Sequence, residues 1–551
     1  MTTIKHTLIT LLLTATTLWA TPNTNFSTPT GLNASYLQRV LLETEPYKLR
    51  NQSIVTNFYK SQNYTPLWLT EHGLKREKIQ KFLYYVRNDL TLNPKAYIFQ
   101  EAEKLTKLQN SQLSKKKAMQ FELRLTSLYY EFLQHTIYGE IDWKKFNRYL
   151  KSLKSSNIEA HWVQYAPRFD IIKLMSRENV IATIREMTPQ GYRYSSLMKA
   201  LYKLYMIQSQ GGWKHLPYFK RLKLGNRSSA VVSLRERLRV SGDYHECSSQ
   251  TPSNSTLFDG CLQQAVKRFQ RRHSLTEDGV VGKNTRWVMN KPVKDKIKTV
   301  LLNIDRIKWL PRARSERYIV VNLPEFLLHY IEHQREVKTL KVIVGDTKHP
   351  SPVFSNKISY IVLNPYWKVP EGIVKREVIP HMVKNPNYIR SQGLQAHKTW
   401  AESSEIINLD NIVWEEYLQD GKKFPYRLMQ PPGPRNALGK IKFKFPNKFS
   451  VYLHDTPTKR LFNRKYRAFS HGCIRLSNPQ SLLESISYID PNVNLAEAQQ
   501  VLRGKKKTQL NVTNKIPIHL IYLTAGINAN GELIFRPDIY KYDKHQTRFV
   551  R

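Results

Sequence analysis

The sequence predicts a multidomain α+β protein: a helical scaffold, a small three-helix unit, and a mainly-β domain carrying a helical insertion. Three observations point there. The chain has 551 residues, which at roughly 100–200 residues per domain argues for three or four cores rather than one. Its apolar periodicity is helical up to about residue 224 and becomes strand-like after about residue 298. With 41% hydrophobic and 11% aromatic residues, it has material for several cores, and wholesale disorder is excluded.

Residues 1–20 read as a secretory signal. Lys5 and His6 form a basic start, an apolar stretch runs from Leu8 to Leu18, and Ala20 offers a small residue at the cut. Thr10, Thr14, Thr16 and Thr17 interrupt the stretch, which is shorter than the roughly 20 apolar residues of a membrane span. Leu18 stands where a small residue is preferred, so an uncleaved anchor is the alternative to a cleaved signal. Lys and Arg number 87 against 43 Asp and Glu, a formal charge of +44. Charge alone admits nucleic acid, a membrane surface or an acidic wall polymer. Export argues against the first.

The segment 37–224 is the helical scaffold. Phe121, Leu125, Leu128, Tyr129 and Phe132 share one helix face, and Gly139 is the stop. Ser195 and Ser196 are expected to cap a second helix through Leu197, Leu201, Leu204 and Tyr205, closed by Gly211-Gly212. In the unit 228–290, Val231, Leu234 and Leu238 mark one helix and Ala265, Val266, Phe269 and Gln270 a second. The turn Asp278-Gly279-Val280-Val281-Gly282 leads into a third at Thr285. Cys247 and Cys261 lie in this unit. Paired in an oxidising compartment, they would close a loop of about fifteen residues worth roughly 3 kcal/mol; two unpaired thiols are the alternative. That pairing would leave Cys473 alone, the third cysteine of the chain.

Residues 298–495 read as the β-domain, with strands expected at 318–322, 341–344, 358–363 and 449–453. Within it, 371–430 turns helical and polar, as an insertion would. A helix through Leu482, Leu483 and Ile486 follows, and 496–551 is set apart as a C-terminal extension ending in a strand at 518–523.

Chemistry concentrates in Phe469-Ser470-His471-Gly472-Cys473-Ile474-Arg475-Leu476-Ser477-Asn478, with His454 nineteen residues before the cysteine. A thiol attacks only as thiolate, and a neighbouring imidazole or cation favours that state. Gly472 permits close backbone approach, so the amides of Gly472 and Cys473 could form an oxyanion hole. Arg475 offers a guanidinium fork for a carboxylate.

This string resembles the signature of the L,D-transpeptidases, in which a histidine precedes a Ser-His-Gly-Cys-x-Arg motif by about this distance. The resemblance extends to Asn364-Pro365-Tyr366-Trp367-Lys368-Val369-Pro370, to 431–439 and to Tyr64-Thr65-Pro66-Leu67-Trp68-Leu69. The unit 228–290, with its Phe-Gln pair and Asp-Gly-x-x-Gly turn, is similar to the three-helix peptidoglycan-binding domain; a plain helical spacer is the alternative. Together these features resemble the large periplasmic subgroup of the family, with 371–430 as a cap or, otherwise, a merely stabilising insertion.

The resemblance implies that Cys473 is the nucleophile and His454 the general base, its second ring nitrogen held by a backbone carbonyl just after it. His471 is the rival base. Arg475 and Asn478 would order loop and substrate, and Tyr452 would line the oxyanion side or stand as an ordinary strand aromatic. The implied reaction joins peptidoglycan stem peptides through their third residues. Water in place of the acceptor amine would make the enzyme an L,D-carboxypeptidase, and an idle wall-binding protein is the alternative of another class. No cofactor and no metal are implied. Expected partners are stem peptides and glycan, with an anionic membrane surface or cell-wall synthases as further candidates, and no nucleic acid. The expected location is the periplasm, and carbapenems are expected acylating inhibitors.

Overall fold

The computed structural model describes residues 31–550 apart from 43–48, 166, 246–254, 313–314, 420–421 and 549. The expected export segment at 1–20 and Cys247 lie outside the described residues. No described helix is long and apolar enough to cross a membrane.

The helical region is built around α1 (Lys115–Tyr138), capped by Ser114 and stopped by Gly139 at φ 66°. The face read from the sequence is buried, packed with Tyr59, Trp68 and Phe82. Inside this core Glu122 accepts hydrogen bonds from the Tyr59 hydroxyl at 2.5 Å and from the amides of Leu67 at 2.6 Å and Trp68 at 3.0 Å. That carboxylate fixes the Pro66-Leu67-Trp68 segment.

The second expected helix forms as α2 (Tyr194–Ser209), but its serines do not cap it. The chain enters through left-handed residues Tyr192 and Arg193, Arg193 is the cap residue, and no side-chain cap bond forms. Ser195 and Ser196 therefore sit inside the first turn. The scaffold also lacks a single core. Residues from Leu32 to Met187 share one cluster, whereas Trp143, Phe146 and Trp162 pack into the β-domain. Leu197, Leu201 and Leu204 pack on a later helix. An amphipathic face reveals that it is buried, not against what.

The small unit consists of α3 (Ser229–Val240), α4 (Gly260–Arg272) and α5 (Lys283–Met289). Gln270 holds its turn: the side-chain amide donates to Asp278 Oδ1 at 2.8 Å and the Val280 carbonyl at 3.0 Å, and its oxygen accepts from the Gly279 amide at 2.9 Å. Cys261 is disulfide-bonded. From here α6 (Val293–Lys308) runs to the β-domain, packing on α2 and burying Arg306, which pairs with Asp543 at 2.7 Å.

The β-domain contains strands β1 (Arg317–Asn322), β2 (Leu327–Glu332), β3 (Arg335–Gly345), β4 (Phe354–Leu363), β5 (Ile441–Lys444), β6 (Leu453–His454), β7 (Ala468–Ser470), β8 (Ile474–Leu476) and β9 (Thr508–Ile521). They form one sheet in the order β7-β3-β8-β6-β5-β4-β9-β1-β2, and β2 also pairs with β3, so the sheet closes on itself. Two sequence expectations change here. The strand expected at 449–453 shrinks to Leu453–His454, because the Asn447 side chain captures the amides of Phe449 and Val451 and Ser450 turns to φ 55°. The segment 496–551 is no appendage: β9 lies between β4 and β1 and fills the middle of the sheet.

The insertion leaves the sheet after β4 and returns at β5. It holds short helices at Glu371–Ile373, Ile379–Lys384 and Tyr388–Gln392, with a π-helical turn at Val374–Val378. A three-stranded sheet of Trp367–Lys368, Arg427–Gln430 and Gln395–His397 joins them, so the subdomain is mixed rather than purely helical. Its own core includes Ile379, Met382, Ile389, Trp414 and Leu428. Asn436 ties its base together, donating to the carbonyls of Pro365, Gln430 and Pro431.

Candidate active site

Strand register assembles the site. Leu453 pairs with Ile474 and His454 with Arg475 across parallel β6 and β8, while Lys442 of β5 lies opposite His454. Leu453 and Ile474 are fully buried in the core. Alternation then puts Tyr452, His454, Lys442, Cys473 and Arg475 on the other face.

Cys473 carries a free, half-buried thiol between β7 and β8. Its Sγ donates to the Ser450 carbonyl at 3.9 Å, and its side chain is hydrogen-bonded by the amide and the hydroxyl of Tyr452. No hydrogen bond joins it to His454 in this arrangement. Burial pushes the thiol pKa above its ordinary value; the Tyr452 contacts and the nearby Lys442 and Lys444 ammonium groups pull the other way without overcoming it.

His454 is buried, and its pKa is lowered to about 3, first by burial and then by the cations Arg475, Lys442 and Lys459. The ring is therefore neutral at pH 7. Nδ1 donates to the Asp455 carbonyl at 2.5 Å, which leaves Nε2 without a proton and able to take one. The Asp455 carboxylate points elsewhere: it accepts from the Lys440 amide at 2.9 Å and Lys459 Nζ at 2.5 Å.

Gly472 adopts φ 101°, a conformation that favours glycine. Its carbonyl accepts from Ser351 Oγ at 2.7 Å, and Ser351 Oγ in turn accepts from the Gly345 amide at 2.9 Å. Tyr540 completes the brace, donating to the Gly345 carbonyl at 2.8 Å and accepting from the Ser351 amide at 3.2 Å. The amides of Gly472 and Cys473 donate to no backbone carbonyl among the described residues.

His471 turns toward the insertion. Its Nε2 donates to Glu377 Oε1 at 2.5 Å, its ring lies 4.6 Å from that of His349, and the Glu377 bond raises its pKa. Arg475 is half-buried, with Nε lacking a partner among the described residues. Asn478 caps α7 (Pro479–Ser487), its Oδ1 accepting from the Ser481 amide at 3.1 Å. Tyr452 stacks edge-on against His454 at 5.6 Å. The register thus gathers Cys473, His454, Tyr452 and Arg475, while His471 and Asn478 are engaged with other partners. Among the described residues, no three His, Cys, Asp or Glu side chains converge as metal ligands would.

Ser351, Tyr540, Glu377, Lys442 and Lys444 had not been singled out from the sequence. Only the last two carried a usable signal, the alternation Ile441-Lys442-Phe443-Lys444. The others come from segments distant in the chain and meet the loop only through the fold.

Residues 316–492 match the family described as the L,D-transpeptidase catalytic domain, 53–201 a "Scaffold domain", and 227–289 a "Putative peptidoglycan binding domain". A curated relative from Haemophilus influenzae, named "Putative L,D-transpeptidase", is 34% identical over 243 residues, covering 44% of this chain and 47% of that protein. The chain thus spans about half the length of that relative. Among solved structures, an L,D-transpeptidase from Xylanimonas cellulosilytica aligns at 15% identity over 55% of this chain and 99% of that one, with a TM-score of 0.17. One from Stackebrandtia nassauensis aligns at 13% over 54% and 94%, with a TM-score of 0.21. These two likenesses are too low to carry weight. Residues 316–492 thus match the L,D-transpeptidase catalytic domain, beside a scaffold domain and a peptidoglycan-binding domain in the same chain.

Proposed function

We propose that the protein is an exported peptidoglycan L,D-transpeptidase of the periplasm, with Cys473 as nucleophile and His454 as general base. One observation carries the assignment of the base: the Asp455 carbonyl holds the His454 proton on Nδ1, so Nε2 presents a lone pair on the face that Cys473 shares.

In the free protein both groups are neutral, because burial raises the thiol and lowers the imidazole. Attack on a tetrapeptide stem then couples proton transfer to bond formation. As Cys473 Sγ bonds to the carbonyl carbon after the L-centre of diaminopimelate, its proton passes to His454 Nε2. The amides of Gly472 and Cys473 are unengaged by backbone carbonyls and, with Tyr452, are available to the developing oxyanion. The carbon–nitrogen bond breaks, His454 returns the proton to the departing D-Ala amine, and a thioester remains. An amine of a second stem attacks the thioester, yielding a third-to-third cross-link and the free thiol.

The 228–290 unit would hold the glycan, and the +44 charge would face wall carboxylates or an anionic membrane surface. Incubation with tetrapeptide muropeptides followed by mass spectrometry tests the reading. Cross-linked dimers from the parent protein and none from Cys473→Ala support it. Trimmed stems without dimers identify a carboxypeptidase, and identical behaviour of the two proteins overturns it.

A further inference from the structure

Lys442 and Lys444 alternate with Ile441 and Phe443 along β5, so the apolar pair is buried while both lysines stand on the face of the site. The Lys442 ammonium lies 3.9 Å from the centre of the Tyr452 ring and that of Lys444 lies 5.1 Å from it. Tyr452 in turn hydrogen-bonds Cys473. Neither ammonium forms an ion pair or a hydrogen bond among the described residues, although both are partly buried.

Other lysines near the site find partners. Lys440 donates to the Leu502 carbonyl, Lys459 to Asp455, Lys368 to the Trp400 carbonyl, and Lys507 pairs with Glu402. Two like charges two residues apart on one strand face repel each other. Burial and this repulsion lower the Lys442 pKa to about 8. Such an arrangement is costly without an anion and becomes favourable when one binds.

Resting on the transpeptidase reading above, we infer that Lys442 and Lys444, flanking Tyr452, form a carboxylate-binding subsite for the donor peptide. Two carboxylates of a tetrapeptide donor flank the bond that breaks, that of the diaminopimelate side chain and that of the terminal D-Ala. The shared chemistry is a carboxylate held beside the thiol by charge-assisted hydrogen bonds.

The test uses the full chain and three synthetic tetrapeptide donors: one with both carboxylates free, one amidated on diaminopimelate, one amidated on D-Ala. Acylation of Cys473 is followed by intact-protein mass spectrometry in the parent, Lys442→Gln and Lys444→Gln proteins, with iodoacetamide labelling confirming a reactive, folded thiol. One of the two amidated donors should react about tenfold or more slowly with the parent, the magnitude of a lost hydrogen bond to a charged group. That donor names the carboxylate read. The lysine variants should lose a similar factor on the free donor and no longer distinguish it from that amide. Lysines that act only on the thiol would slow all three donors equally and preserve the parent's preference, which would overturn the inference. A parent indifferent to both amides would also overturn it. A parent that labels with iodoacetamide but is acylated by no donor instead defeats the transpeptidase reading.

Discussion

His471 Nε2 donates to Glu377 Oε1 at 2.5 Å, so the inserted subdomain touches the cysteine loop through an ion pair. The bond raises the His471 pKa and lowers that of Glu377. A histidine whose Nε2 is engaged by a carboxylate is poorly placed to deprotonate a thiol. The contact therefore favours His454 as the base and gives His471 a role in seating the insertion.

The contact should depend on pH. The His471 pKa is raised above 6.5, so its contribution is complete below that value and lost as pH rises through the folded pKa. The Glu377 pKa is lowered below 4.5, so its contribution is present above 4.5 and lost as pH falls through the folded pKa. The pair is then complete between 4.5 and 6.5. Hydrogen-exchange protection of residues 371–384, taken relative to the intrinsic rate at each pH, should be greatest in that window and fall at alkaline pH. Glu377→Gln should flatten the alkaline change, with global stability altered by about 1 kcal/mol or less, as suits a half-exposed pair.

The thiol should titrate late. Burial raises Cys473 above an ordinary value of 9.0, so iodoacetamide alkylation should be slow at pH 7 and have its midpoint above pH 9. Tyr452→Phe removes a hydroxyl that stabilises the thiolate and should move the midpoint further up. A midpoint near neutrality would indicate a preformed thiolate instead of a proton removed during attack.

The two histidines should separate in acylation assays. His454→Gln should slow acylation by about 10²–10⁴, the usual contribution of a positioned general base. His471→Gln should cost much less and should make the rate insensitive to Glu377→Gln. Because the His454 pKa is about 3, the acid limb of the parent's acylation profile should lie near that pH rather than near 6.5.

The brace under Gly472 should matter to stability. Tyr540→Phe leaves the Gly345 carbonyl and the Ser351 amide without their buried partner and should cost about 1–3 kcal/mol in denaturant unfolding. Gly472→Ala must place a side chain at φ 101° and should slow acylation even where the fold survives, since it distorts the amides beside the thiol.

Much of this was legible in the sequence because it is local. The α1 face, the Phe269-Gln270 pair with its turn, and the histidine-to-cysteine spacing are each written within one or two segments. What was not legible depends on distant pairing. Residues 496–551 read as an extension because nothing local states that β9 inserts between β4 and β1. Ser195 and Ser196 looked like caps because their chemistry suits one, yet the left-handed turn at Tyr192 and Arg193 starts the helix earlier. Ser351 and Tyr540 reach Gly472 from 121 residues before it and, through Ser351, from 189 residues after that serine, and no periodicity connects such positions.

The most direct test of the account is the mass of the intact protein after mixing with a tetrapeptide donor or with a carbapenem. The account predicts one adduct on Cys473, equal to the donor less D-Ala or to the intact carbapenem, absent in Cys473→Ala and strongly delayed in His454→Gln. Folded protein whose Cys473 still accepts iodoacetamide but acquires neither adduct would contradict it.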